Sequence, residues 1–239
     1  MSVTNAIRKV VQRITRRLKV VEYTESGGDV KLTVEQVDHA KGVLWEGAWV
    51  ELFGANENRR YQVKTLTRLY TSSRRWVVTL DLLAGETIDK GVKQMALLLD
   101  YQFGHYKEIQ QTLTEQSRST EWKAKMYPKL ILFLDITENH TQVVTATINL
   151  AIVTTTNKAF KALDREIESF DKVLHPLYRL FMEELTLAPG IRFEYPIEHD
   201  KTDRYFWGSE PTPDQNVFAA LLDAIEINSL SLMIDEKLC

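Results

Sequence analysis

The chain has 239 residues, 44% hydrophobic and 26% charged, with 30 Lys and Arg against 33 Asp and Glu for a formal net charge of -3. At about 100 to 200 residues per domain, that length allows one large domain or two small ones. Apolar runs such as Leu130 to Leu134 are far short of the ~18 apolar residues of a membrane-spanning helix. A signal-peptide core is not expected, because Arg8, Lys9, Arg13, Arg16, Arg17 and Lys19 interrupt the N-terminal apolar positions. A single cysteine, Cys239, cannot form an internal disulfide or a cysteine-based zinc site, which fits synthesis and assembly in a reducing cytoplasm.

The patterning predicts two parts, 1–103 and 104–239. The first holds 16 basic and 12 acidic side chains and the second 14 and 21. Parts of opposite charge balance can stack head to tail on other copies of the same chain, although solvated faces also vary in this way.

In chain order, Val3, Ile7, Val10, Val11, Ile14 and Leu18 fall at helical spacing, with the basic residues largely opposite. This predicts a short basic amphipathic helix. It could pack on its own domain, or meet anionic lipid, phosphates or an acidic neighbour. From Val20 to about Phe103 the period becomes two, with turn residues recurring every ten or so positions, the pattern of an antiparallel meander or small barrel. Strands are expected at Lys19 to Glu25, Val30 to Val34, Trp49 to Phe53, Tyr61 to Tyr70 with a bulge near Lys64 or Thr65, Trp76 to Leu82, and Val92 to Tyr101. Small barrels can bind single-stranded nucleic acid through stacked aromatics and basic residues. Trp45, Trp49, Tyr61, Tyr70 and Trp76, with Arg59, Arg60, Arg68, Arg74 and Arg75, supply those residue types, although aromatics at alternating positions are more often core.

The second part is expected to fold as an α/β sandwich with a mixed or antiparallel sheet. A surface helix over Phe103 to Trp122 precedes the strand Lys129 to Ile136, whose near-continuous apolarity requires cover on both faces. A long half-buried strand follows at Gln142 to Thr155. Asn157 is a candidate N-cap for a long helix with the stripe Phe160, Leu163, Ile167, Phe170, Leu174, Leu177, Phe181 and Leu185. Pro176 should kink or interrupt it near Lys172 or Val173. Ile191 to Ile197 reads as a strand, His199 to Asn216 as a long loop holding Tyr205, Phe206 and Trp207, and Asp223 to Ile234 as a closing strand.

No glycine-rich phosphate loop, GxGxxG, GxSxG or HExxH sequence occurs, so no catalytic residue and no cofactor is expected. Glu198, His199, Asp200 and Asp203 are the best candidate metal ligands, and Asp135, Glu138 and His140 a weaker group. Both are polar segments that carry such residues by composition, so no metal site is assigned.

The element order of residues 104–239, with "YPKLILFLDITENH", "TQVVTATINLAIVTTT", "LYRLFMEELTL", "DRYFWG" and "DAIEINSLSLMI", resembles the tail-terminator and tail-completion proteins of long-tailed bacteriophages and phage-like particles. The resemblance covers a little over half the chain and rests on element order. It implies a non-enzymatic virion protein, assembled in the host cytoplasm as a ring, usually of six copies, at the neck or tail end. There it would cap the tail tube and join it to the connector, with passing contact with DNA and no membrane. The residues expected at such interfaces are Arg13, Arg16, Arg17, Arg59, Arg60, Arg74 and Arg75, with Tyr205, Phe206 and Trp207 as an anchor. The alternative is a nucleic-acid-binding module with an OB-like barrel; a metal-dependent hydrolase using the Glu198 to Asp203 segment is a third reading.

Overall fold

The computed structural model describes residues 2–26, 29–35, 44–54, 60–69, 75–82, 86–117, 127–140, 144–157, 159–207 and 221–234. The chain forms two compact units, one of Thr15–Leu98 and one of Met1–Ile14 with Leu99–Cys239. Here the division departs from 1–103 and 104–239, because the N-terminal helix belongs with the second unit.

The first unit is a closed six-stranded barrel. Strands β1 (Arg17–Ser26), β2 (Asp29–Glu35), β3 (Trp49–Phe53), β4 (Arg60–Arg68), β5 (Arg75–Asp81) and β6 (Gln94–Leu97) run in the order β1-β2-β5-β4-β3-β6. Every pairing is antiparallel. Closure leaves no sheet edge, and alternation sends Leu32, Val50, Leu52, Tyr61, Leu80 and Met95 to the interior, each almost wholly buried. The bulge expected near Lys64 or Thr65 is the register shift between Val63 and Thr65. Gly54 has φ +93, a conformation glycine adopts without the steric cost of a Cβ. An OB-fold is a five-stranded, partly open barrel, so this barrel is of another kind.

The second unit is built on a mixed sheet of β7 (Asp100–Gly104), β8 (Lys129–Phe133), β9 (Thr137–His140), β10 (Val144–Thr155), β11 (Ile191–Arg192), β12 (Asp200–Trp207) and β13 (Leu222–Ile234). Its path is β11-β13-β10-β8-β7, with β12 also beside β13 and β9 beside β10. Helix α2 (Tyr106–Ser117) crosses between the parallel strands β7 and β8, and the other pairings are antiparallel. Leu130, Ile131 and Leu132 are all buried, as expected for a strand covered on both sides. On one face Ile109 and Leu113 of α2 pack with Ile131, Ala151, Val153, Trp207, Leu222 and Ala224. The long helix covers β10 and β13 on the other.

Several expectations are corrected. The sequence predicts one strand over Val92 to Tyr101, but β6 closes the barrel and β7 opens the second unit. Ile191 to Ile197 keeps only the two residues of β11, and of the loop expected over His199 to Asn216, Asp200–Trp207 is strand β12 while 208–216 lie outside the described residues. Helix α1 (Val3–Ile14) buries Val3, Ala6, Ile7, Val10, Val11 and Ile14, while Leu18, expected on its stripe, faces Met95 across β1 and β6. Arg13 Nε lies 3.0 Å from Glu184 Oε2, and the Tyr101 hydroxyl donates to the Thr4 carbonyl at 3.3 Å. With α1 moved, residues 15–98 carry 13 basic and 11 acidic side chains and the remainder 17 and 22. The opposed charge balances of the sequence reading are therefore reduced.

The long helix begins later than Asn157. Lys161 is the N-cap of α3 (Ala162–Arg165), and the Asp164 carboxylate accepts its backbone N–H at 3.0 Å. Asn157 instead accepts from Ala159 N–H. A π-helical stretch, Glu166–Leu174, leads into α4 (His175–Thr186), whose first turn contains Pro176. Wider winding rotates Leu163 and Ile167 outward and brings Arg165 into the interior, so the expected stripe holds only from Phe170 onward. The interruption anticipated from Pro176 takes this π-helical form. Among the described residues no helix is long and apolar enough to cross a membrane.

Candidate functional site

Two periodicities meet along β12. A strand sends every second side chain to one face, which aligns His199, at its foot, with Lys201, Asp203 and Tyr205. Opposite them stand Tyr178, His175, Asp171 and Glu166, spaced three, four and five residues apart on α4 and the π-helical stretch. Between the two elements, the Tyr178 hydroxyl and His199 Nε2 are 2.6 Å apart. Lys201 Nζ donates to Asp203 Oδ1 at 2.6 Å and lies 5.6 Å from the Tyr178 ring centroid. Asp203 Oδ2 faces His175 Nε2 at 3.1 Å, while His175 Nδ1 is 3.4 Å from Asp171 Oδ1. At the far end the Tyr205 hydroxyl donates to Glu166 Oε2, and its ring lies 5.0 Å from that of Phe170.

These contacts set the protonation chemistry of the seam. Burial pushes the Asp203 carboxyl up, but hydrogen bonds from Lys201 and His175 and their positive charge outweigh it, and its pKa falls below 3.8. The hydrogen bond to Glu166, helped by burial, pushes the Tyr205 phenol up to about 12. Burial, then the Asp203 charge, raises that of Tyr178.

The expected aromatic trio is divided between two faces of the sheet. Arg204 pairs with Ala224 and Trp207 with Leu222, so Tyr205 and Phe206 together oppose Asp223 alone, a bulge of two residues against one. Phe206 adopts φ +52. The extra residue returns Trp207 to the face of Arg204, where it is buried in the α2 core and its indole N–H donates to Glu226 at 2.8 Å. Tyr205 and Phe206 remain on the helix side, 44% and 39% exposed.

Beneath Phe206 lies a buried ion pair. Arg165 and Asp223 are 1% and 0% exposed, and Arg165 Nη1 donates to Asp223 Oδ1 at 2.7 Å. The guanidinium also donates to the carbonyls of Asn157 and Phe160, and its carbon sits 3.5 Å from the Phe206 ring centroid. Phe206 N–H donates to the same Asp223 oxygen at 3.1 Å. One guanidinium thus joins the helix entrance, the bulge and β13.

The basic residues expected at an interface are not drawn into this site. Arg13 is paired with Glu184. Arg16 is half-buried ahead of β1, and Arg17 donates to Gln94 Oε1 at 3.3 Å and lies 4.1 Å from the Phe53 ring centroid. Arg60 is on β4 opposite Glu51, and Arg75 Nε is 3.8 Å from Glu35. Of the base-stacking candidates, Tyr61 is in the barrel interior, Trp45, Trp49 and Trp76 are half-buried, and Arg68 covers Trp76 at 5.9 Å. Arg59, Tyr70 and Arg74 lie outside the described residues.

The Glu198 to Asp203 metal candidates are separated by strand alternation. His199 and Asp203 face the helix, whereas Glu198 and Asp200 are exposed. Asp135 is exposed in the turn after β8 and Glu138 is on β9, while the side chain of His140 lies outside the described residues. Sequence reasoning missed Glu166, Asp171, His175, Tyr178, Arg165 and Asp223. The available signal was an arginine and a run of acidic residues beside a helix stripe that Pro176 interrupts. Comparison of the chain with models of known protein families, with curated proteins and with solved structures returns no match.

Proposed function

We propose that the chain is a structural subunit of a phage-like particle, assembling with copies of itself into a ring at the head-to-tail junction or tail end. The supporting observation is a set of exposed apolar side chains around the edge of the sheet, on β7, at the start of α2 and just after β8. Phe103, Tyr106 and Leu134 are 37%, 42% and 49% exposed there, and Leu134 N–H donates to the Gly104 carbonyl at 3.1 Å, which holds the two strand ends together. Exposed apolar groups around one sheet edge favour an interaction surface there, and a ring needs such surfaces on each subunit. Light scattering and negative-stain imaging across concentration test this reading. Closed rings are expected for the native chain and single-chain mass for Leu134→Asp. A native chain that keeps single-chain mass throughout would overturn the assignment of this surface.

A second reading, a nucleic-acid-binding barrel, draws on the arginines over Phe53 and Trp76. It predicts binding to single strands that falls steeply with salt and weakens in Trp76→Ala. Unchanged binding in that variant would remove this surface from the account.

A further inference from the structure

The winding of the long helix has a chemical consequence at Glu166, Asp171 and His175. In an α-helix of 3.6 residues per turn, Glu166 and Asp171 would stand about 140° apart around the axis. Bonding from residue i to i+5 instead stacks residues five apart about one turn above each other, and π-helical segments of this kind occur frequently at functional sites. His175 follows Asp171 by four residues and continues the same face. One carboxylate oxygen each from Glu166 and Asp171, and one ring nitrogen from His175, accordingly lie within 4.8 Å of one another.

The surrounding groups fix what these atoms offer. Asp203 Oδ2 lies 3.1 Å from His175 Nε2, and a carboxylate only accepts, so this contact suits the imidazole tautomer that carries its hydrogen on Nε2. That leaves the Nδ1 lone pair facing Asp171 Oδ1 at 3.4 Å. Lys201 Nζ is bonded to the other Asp203 oxygen and lies 3.5 Å from Nε2, on the side away from Nδ1. The Tyr205 hydroxyl donates to Glu166 Oε2. Two carboxylate oxygens and one imidazole nitrogen therefore converge, and His175 and Glu166 are each contacted by a side chain on β12.

We propose that Glu166, Asp171 and His175 Nδ1 bind a divalent cation of the zinc class, with Asp203 positioning the imidazole and Tyr205 positioning Glu166. One imidazole nitrogen with two carboxylate oxygens is a donor set that suits such ions, and a tetrahedral ion would keep one position open. A carboxylate on the distal nitrogen of a ligating histidine fixes its tautomer and raises its basicity. All three ligands lie on the long helix, with β12 holding two of them, so the site is independent of any ring assembly. The competing occupant is a proton on Nδ1, which satisfies the same lone pair without any metal.

Calorimetry with Zn2+ and the visible spectrum of the Co2+ form, both on the full-length chain freed of metal, separate these cases. One saturable site is expected, with binding lost in Glu166→Gln and in His175→Asn. Asp203→Asn should weaken it by about 10- to 100-fold and shift the Co2+ spectrum, a change that loss of packing alone would not give. Circular dichroism checks the fold of each variant, and if His175→Asn fails to fold, the near-isosteric Glu166→Gln decides. Absence of saturable binding, or native affinity in Glu166→Gln, would overturn the proposal and leave a proton as the occupant.

Discussion

The two units bury different kinds of atoms. Among the described residues the barrel's buried polar side chains are Thr33 and Thr79, whereas the sheet unit buries Lys129, Arg165, Glu184 and Asp223, with Thr154 and Ser169. The barrel meets its needs through closure and alternation, and Thr79 finds a cross-strand hydroxyl partner in Thr65 at 2.8 Å. The sheet unit instead holds charges in its interior and must supply each with a partner, since an unpaired buried charge is costly. One unit is specified by pattern and the other by particular pairs, so substitutions should act differently in each.

The largest expected effect breaks the central pair. Arg165→Ala leaves Asp223 buried without its cation and should cost about 3 to 5 kcal/mol, whereas replacing both partners by apolar residues of similar volume should cost much less. Urea unfolding measures both, and equal losses in the two variants would contradict the pairing account. In the barrel the comparable injury is apolar: Leu80→Ala should cost about 2 to 5 kcal/mol with little dependence on pH or salt. A third test concerns backbone alone. A Cβ at Gly54 would come 3.1 Å from the Gly91 carbonyl oxygen at φ +93, so Gly54→Ala should destabilise by roughly 1 kcal/mol or more. A neutral result in thermal unfolding would show that this turn relaxes.

The smallest effect depends on pH and belongs to the seam. The pKa of Asp203 is lowered in the folded chain from 3.8. Its contribution is therefore present above that value and lost as pH falls through the lower folded value. Acid titration of stability should show a loss below about pH 4 that Asp203→Asn removes, and an identical acid profile in the variant would contradict the assignment.

Legibility in the sequence follows the same divide. Period-two alternation in Val30 to Val34 and Trp76 to Leu82 identified barrel strands, and the apolar run at Leu130 to Leu132 identified a strand covered on both faces. These signals are local and repeat, so a few residues suffice. The boundary between units is not legible because Met95 to Leu99 is one apolar run that spans it, and nothing in that run marks where one sheet ends and the next begins. Adjacency in the sequence makes Tyr205, Phe206 and Trp207 one cluster, whereas a bulge opposite Asp223 sends Trp207 to the other face. The seam was invisible for a deeper reason. Glu166, Asp171 and His175 share a face only under π-helical winding, and their partners on β12 are distant in sequence, so no fixed 3.6-residue pattern could assemble them.

The central claim, a subunit acting at the neck or tail end of a phage-like particle, is tested most directly by labelling the chain and imaging purified particles. The account predicts the label in a ring at the head-to-tail junction or the end of the tail tube. Its absence from assembled particles would contradict the account.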